Sequence, residues 1–118
     1  MSRDSVLKIK SVAFAKRIVK LYQYLISEHH EMVMSKQILR SGTSIGANVT
    51  EAIYGSSRKD FVAKLQIAKK EAAETLYWLE LLSNSDYISE KMYISFCNDC
   101  RELLSMLSAT IISVDRTK

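Results

Sequence analysis

The sequence has no proline, three glycines and two cysteines among its 118 residues. An all-β domain of this length turns many times and draws on glycine and proline to do so, which excludes a sandwich or barrel. Two cysteines and no secretion-type leader give no disulfide framework. No apolar run approaches the ~20 residues of a membrane span. The opening Met1-Ser2-Arg3-Asp4 lacks the charged-then-apolar layout of a signal peptide, so a cytoplasmic protein without membrane contact is expected. What is present suffices for a packed core. Hydrophobic residues make up 47% and charged residues 25%, which speaks against disorder and for one domain with one core.

The net charge is +4, with a pI near 9.1. Its distribution is uneven. Within residues 1–27, Arg3, Lys8, Lys10, Lys16, Arg17 and Lys20 face Asp4 alone. A surplus at one end favours polyanions such as nucleic acid or anionic lipid, or serves as a solvated face that keeps the chain soluble.

Four helical segments follow from the spacing of apolar side chains. The first covers about residues 5–28, with Leu7, Ser11, Phe14, Ile18, Leu21 and Leu25 alternating four and three apart. The second covers about residues 35–54, with Ser35 as its N-cap and Ile38, Gly42, Ile45, Val49 and Ala52 as its stripe. Gly42 and Gly46 each cost about 1 kcal/mol relative to alanine inside a helix. Either a close helix crossing compensates, or Ser41-Gly42-Thr43-Ser44 is a break. Gly55-Ser56-Ser57 then punctuates the chain, and Ser57 with Asp60 makes a capping-box-like start. The third segment covers about residues 58–82, with Phe61, Leu65, Ala68, Ala72, Thr75, Leu79 and Leu82 in register. After the turn Ser83-Asn84-Ser85-Asp86, Ser89 caps a fourth segment over about residues 89–114, striped by Tyr93, Phe96, Cys100, Leu103, Leu107 and Ile111. Four rods of similar length with short links predict an all-α, up-down-up-down antiparallel four-helix bundle without a sheet. Tyr77, Trp78, Leu81, Tyr87 and Tyr93 exceed what so small an interior takes in, so they are assigned to an interface between copies in a homo-oligomer.

No enzyme signature emerges. Cys97-x-x-Cys100 sits in mid-helix, away from the helix N-terminus that a redox pair uses, and no second ligand pair completes a zinc site. Two buried, reduced cysteines are the expectation. No Glu-x-x-His exists for a di-metal carboxylate site, so no metal or cofactor is expected. Gly42-Thr43-Ser44-Ile45-Gly46 lacks the Gly-Lys-Ser/Thr ending and preceding strand of a phosphate loop. Both histidines, His29 and His30, lie in one tetrapeptide, which leaves no serine with a triad. Ser44, Asn48, Glu51 and Glu74 are read as a polar cluster fixing register between the second and third helices, with Arg40 and Glu71 as further partners; a ligand site is the other reading. Arg58 and Lys59 at a helix start suit either a phosphate or a plain cap.

Gln37-Ile38-Leu39-Arg40-Ser41, Ser44-Ile45-Gly46-Ala47-Asn48-Val49-Thr50-Glu51-Ala52, Ser57-Arg58-Lys59-Asp60-Phe61 and Tyr87-Ile88-Ser89 together resemble the four-helix-bundle protein family. These are small bacterial proteins, some encoded within intervening sequences of large-subunit ribosomal RNA genes, and similar to the accessory protein of diversity-generating retroelements. The resemblance implies a closed bundle assembled as a homopentameric ring, without known catalysis and with nucleic-acid binding as its function. Leu39, Gly46, Ala52 and Gly55-Ser56 depart from the family pattern, and the changes at Leu39 and Gly55-Ser56 remove cations.

Two functions follow as expectations. In the first, a homo-oligomer binds RNA or DNA through phosphates with little sequence preference, using Lys10, Lys16, Arg17 and Lys20, joined by Arg40, Arg58 and Lys59. In the second, the protein is an interaction or scaffold subunit whose basic face meets an acidic protein partner.

Overall fold

Residues spaced three and four apart in the sequence line up on one side of each helix. The computed structural model, which describes residues 2–116, shows the four rods that this spacing requires: α1 (Arg3–His29), α2 (Met34–Ile53), α3 (Arg58–Asn84) and α4 (Glu90–Arg116). No strand occurs among the described residues. Helices α1, α3 and α4 have 27 residues each, about 40 Å at 1.5 Å per residue. The molecule accordingly measures 48 × 23 × 21 Å.

The helices form a square in chain order. α2 packs most extensively on α3, then on α1, and α3 on α4; α1 and α4 close the square along the thinnest seam, and among the described residues no Cα atoms of diagonally placed helices come within 8 Å. On the α1–α4 seam Lys10 pairs with Glu102 and Arg17 with Asp99, and on the α2–α3 seam Arg40 pairs with Glu74 and Glu51 with Lys64, so the numbering runs in opposite directions and both pairs of helices are antiparallel.

The stripes meet in one core. Leu7, Ile18, Leu25, Ile38, Ile45, Leu65, Leu79, Leu82, Leu103 and Leu107 are all buried. Ser11, Ser41, Thr75 and Thr110 are buried among them; Ser11, Thr75 and Thr110 return their hydroxyls to carbonyls three or four residues back, while Ser41 lies 3.5 Å from the Ile38 carbonyl and 3.0 Å from the Thr75 hydroxyl. Phe61 and Tyr93, both placed in stripes, are only half-buried.

α2 is continuous through Ser41–Ser44, so the break does not occur. A Cβ built on Gly42 would stand 2.7 Å from Ile18 Cγ1, and one on Gly46 would stand 3.4 Å from the Ser11 carbonyl. Gly42 therefore lets α1 approach α2, which compensates its low helix propensity, while a methyl at Gly46 would make only ordinary van der Waals contact.

The caps explain the links. Ser57 Oγ accepts the Asp60 N–H at 3.1 Å, and Ser89 Oγ accepts the Met92 N–H at 3.1 Å, as expected. Ser35 does not cap α2. It lies within the first turn, buried, and Glu31 takes the role: its carboxylate accepts the N–H groups of Val33 and Ser35 at 3.1 and 2.8 Å. The left-handed residues are His30 at φ 53°, which caps the end of α1, and Asp86 at φ 64°, one residue past the Ser85 cap of α3. The following N–H groups of Glu31 and Tyr87 reach back to Leu25 and Leu82 at 3.0 and 2.9 Å, closing both turns.

Candidate nucleic-acid interface

α1 presents two different basic edges. Its core stripe fixes which residues point outward, and positions 9, 12, 16, 19 and 23, three and four apart, share the opposite face. There Ile9, Val12, Lys16 and Val19 are exposed, with Lys20 beside them. Lys16 and Lys20 have no carboxylate within salt-bridge distance among the described residues.

Lys10 and Arg17 lie toward α4 and are engaged. Lys10 Nζ donates to Glu102 at 3.0 Å. Arg17 donates to Asp99 at 2.6 Å and to Ser95 Oγ at 2.9 Å, while its guanidinium covers the Phe96 ring at 4.1 Å from the centroid. These contacts bridge the thin α1–α4 seam. Ser95, Asp99 and Glu102 recur four and three apart on α4, a pattern that marks them as one face. Sequence reasoning missed them because nothing in a single helix says which neighbour it will meet.

The remaining predicted cations stand apart from α1's outer face. Arg40 bridges to α3, donating to Glu74 at 3.0 Å with Glu71 at 3.9 Å. Arg58 and Lys59 occupy the first turn of α3, at the pole where α1 begins. Arg58 lines a cleft of about 430 Å³ with Arg3, Asp4, Phe61, Thr110, Ser113 and Val114. The seven cations therefore distribute over three places: α1, the α2–α3 seam and one pole.

The polar cluster divides: Glu74 and Glu51 pair across the α2–α3 seam with Arg40 and Lys64, as a register-fixing role requires, whereas Ser44 and Asn48 bond within α2. The Asn48 amide donates to Ser44 O at 2.8 Å and Ser44 Oγ to Arg40 O at 2.6 Å, both within α2. Glu51 accepts from Lys64 at 3.0 Å, and Glu74 also accepts the Trp78 indole N–H at 3.2 Å. The buried bond across the α2–α3 seam is instead between the Ser41 and Thr75 hydroxyls at 3.0 Å. Asn48 satisfies itself one turn back because an i−4 carbonyl is the nearest acceptor for a short amide.

The aromatic residues assigned to an interface spread over several surfaces. Tyr77 is 56% exposed on the outer face of α3, edge-on to Trp78, which is half-buried like Leu81. Tyr87 stacks edge-on against His29, which also meets Tyr24. Tyr93 sits beside Cys97, whose charge and hydrogen bond push its hydroxyl above the usual phenol range. Cys97 and Cys100 are free and buried. Burial pushes the Cys100 thiol up to about 12 and raises Cys97 as well. Thiols held neutral in this way are poor nucleophiles and poor metal ligands. Among the described residues no three His, Cys, Asp or Glu side chains converge as a metal site would need. No helix among the described residues is long and apolar enough to cross a membrane.

The same architecture occurs in a crystal structure from Bacteroides thetaiotaomicron VPI-5482, described as a protein with unknown function from the S23 ribosomal protein family. The two chains are 55% identical, with a TM-score of 0.92 over 93% of this chain and 98% of that one. No curated protein matches. Residues 3–109 match the family of 23S rRNA-intervening sequence proteins. Nearly the whole bundle lies within that match, and the chain belongs to the 23S rRNA-intervening sequence protein family.

Proposed function

We propose that the chain is a non-catalytic, homo-oligomeric protein that binds nucleic acid through the outer face of α1, without strong sequence preference. The observation that carries this reading is the pair Lys16 and Lys20. They point to solvent and are unpaired among the described residues, while Lys10 and Arg17 are spent on α4. Cations without a local counter-charge are the ones that gain from phosphates and release counterions on binding.

Self-association strengthens the case. Ile67 and Tyr77 are 40% and 56% exposed on the outer face of α3, with Leu81 half-buried on the same side. Apolar side chains on one face favour contact between copies. A ring, five copies as the family resemblance implies, would repeat the α1 surface and multiply its field.

The test is fluorescence anisotropy with RNA and duplex DNA at two salt concentrations, beside light scattering for the oligomeric mass. Binding that weakens steeply with salt supports the reading. No binding at low salt, or an unchanged affinity after Lys16→Glu with Lys20→Glu, refutes it. A pull-down that survives nuclease would then favour the protein-interaction scaffold.

A further inference from the structure

Tyr54 is 77% exposed, more than any other large apolar side chain described. It lies where α2 ends, and its backbone is fixed: its N–H donates to the Thr50 carbonyl at 3.2 Å. The ring itself meets one neighbour of note, the Lys8 ammonium of α1, 5.3 Å from the ring centroid. An ammonium over an aromatic face is held by the ring's quadrupole, and it orients the ring without covering the rest of it. Beyond the ring the chain turns away through Gly55-Ser56-Ser57, all small and exposed. The pole carries further cations, with Arg3 and Arg58 lining one cleft and Lys59 exposed beside them. Of the carboxylates nearby, Asp60 accepts from Ser56 at 3.3 Å, Glu51 accepts from Lys64 at 3.0 Å, Asp4 lies in the first turn of α1, and Asp115 lines a cleft with Arg58 and Lys59.

We propose that Tyr54 is a stacking platform for an unpaired nucleobase, with the Lys8 ammonium beside it on the adjoining phosphate. This deepens the nucleic-acid reading above and rests on it. It makes single-stranded nucleic acid the preferred ligand over duplex. Every base has a π-face, so an exposed tyrosine holds bases without reading sequence; in a duplex those faces are already stacked. A strand lying along α1 then meets Lys16 and Lys20, about 12 and 18 Å beyond Lys8 at 1.5 Å of rise per residue. At 3.6 residues per turn Lys16 and Lys20 are turned about 80° and 120° around α1 from Lys8, so the phosphate path winds from the Tyr54 edge onto the outer face, and charge complementarity selects a polyanion over an uncharged peptide.

The experiment titrates the full chain with a labelled oligouridine, with a duplex of equal length, and with an oligonucleotide carrying 2-aminopurine, whose emission falls on stacking. The single strand is expected to bind more tightly than the duplex and the 2-aminopurine signal to be quenched. Tyr54→Ala should weaken single-strand binding at least about 5-fold, the lower end for losing one base–aromatic stack. It should leave duplex binding and the thermal melt unchanged. Tyr54→Phe, which keeps the ring, should bind like the parent. Single-strand affinity unaffected by Tyr54→Ala, or an equal loss for both ligands, overturns the platform. If Lys16→Glu with Lys20→Glu abolishes binding while Tyr54→Ala does nothing, the basic face stands and the platform falls. If the parent retains no nucleic acid at low salt, both fall. If Tyr54→Ala abolishes only a protein contact, the ring belongs to a protein interface and the platform is refuted.

Discussion

Replacing Gly42 by alanine sets two effects of known size against each other. Alanine is the better helix former by about 1 kcal/mol. Its methyl, however, would stand 2.7 Å from Ile18 Cγ1 and 2.9 Å from Cγ2, where carbon pairs prefer about 3.5–4.0 Å. Ile18 is fully buried and β-branched, so in a helix it has one favoured rotamer and cannot swing aside. The helices must separate locally, and overpacking of this kind costs about 1–3 kcal/mol. The net expectation for Gly42→Ala is a loss of about 1 kcal/mol, roughly 4 °C in Tm for a chain of this size. Gly46→Ala, one turn later, is the control. Its nearest contact is the Ser11 carbonyl at 3.4 Å, so it should keep most of the propensity gain and be neutral or stabilising. Urea unfolding at one fixed protein concentration, followed by circular dichroism, measures both. Ile18→Ala removes the clashing atoms and should make the double variant with Gly42→Ala less destabilised than the sum of the single changes. A Gly42→Ala protein as stable as the parent, or additive effects in that cycle, would refute close approach as the reason for the glycine.

Arg17→Ala should destabilise by about 1 kcal/mol, less at high salt, because its bond to Asp99 is part-exposed and screened while its stacking on Phe96 is not; urea midpoints at two salt concentrations check this. Thr75→Val should cost about 1–3 kcal/mol by leaving the buried Ser41 hydroxyl with only a 3.5 Å contact to Ile38 O, measured in the same way. His30→Gly should stabilise by about 1 kcal/mol, since only glycine takes φ 53° without steric cost. Cys100 ionises near 9.0 unfolded and near 12 folded. Its contribution is therefore complete below pH 9 and is lost as pH rises from there, by about 1.4 kcal/mol per pH unit. Cys100→Ala should flatten that alkaline decline, read from melts between neutral and alkaline pH.

The fold was legible because core positions repeat. In α3 the run Leu65, Ala68, Ala72, Thr75, Leu79 and Leu82 keeps one face through the whole helix, and all six are buried. At Gly42 the sequence leaves a close crossing or a break as alternatives, and the helix is continuous with Ile18 packed against it. What the sequence hid depends on neighbours. Ser35 has the chemistry of a cap, but the link before α2 is so tight that Glu31 reaches the free N–H groups first. Asn48 looked destined for α3 and bonded to its own helix. Lys10 and Arg17 counted as part of an open basic face until Glu102 and Asp99 arrived from more than 80 residues away along the chain. Tyr54 carried no pattern at all, because exposure of a single aromatic at a helix end leaves no periodic trace.

The central claim is that uncompensated cations on the outer face of α1 hold phosphates. It is tested most directly by the salt dependence of single-strand binding for the parent and for Lys16→Glu with Lys20→Glu. Each phosphate contact contributes about 0.7 to the slope of log affinity against log salt on a single strand. The account predicts a steep slope for the parent, shallower by about 1.4 or more in the variant. Equal slopes, or an affinity indifferent to salt, would contradict it.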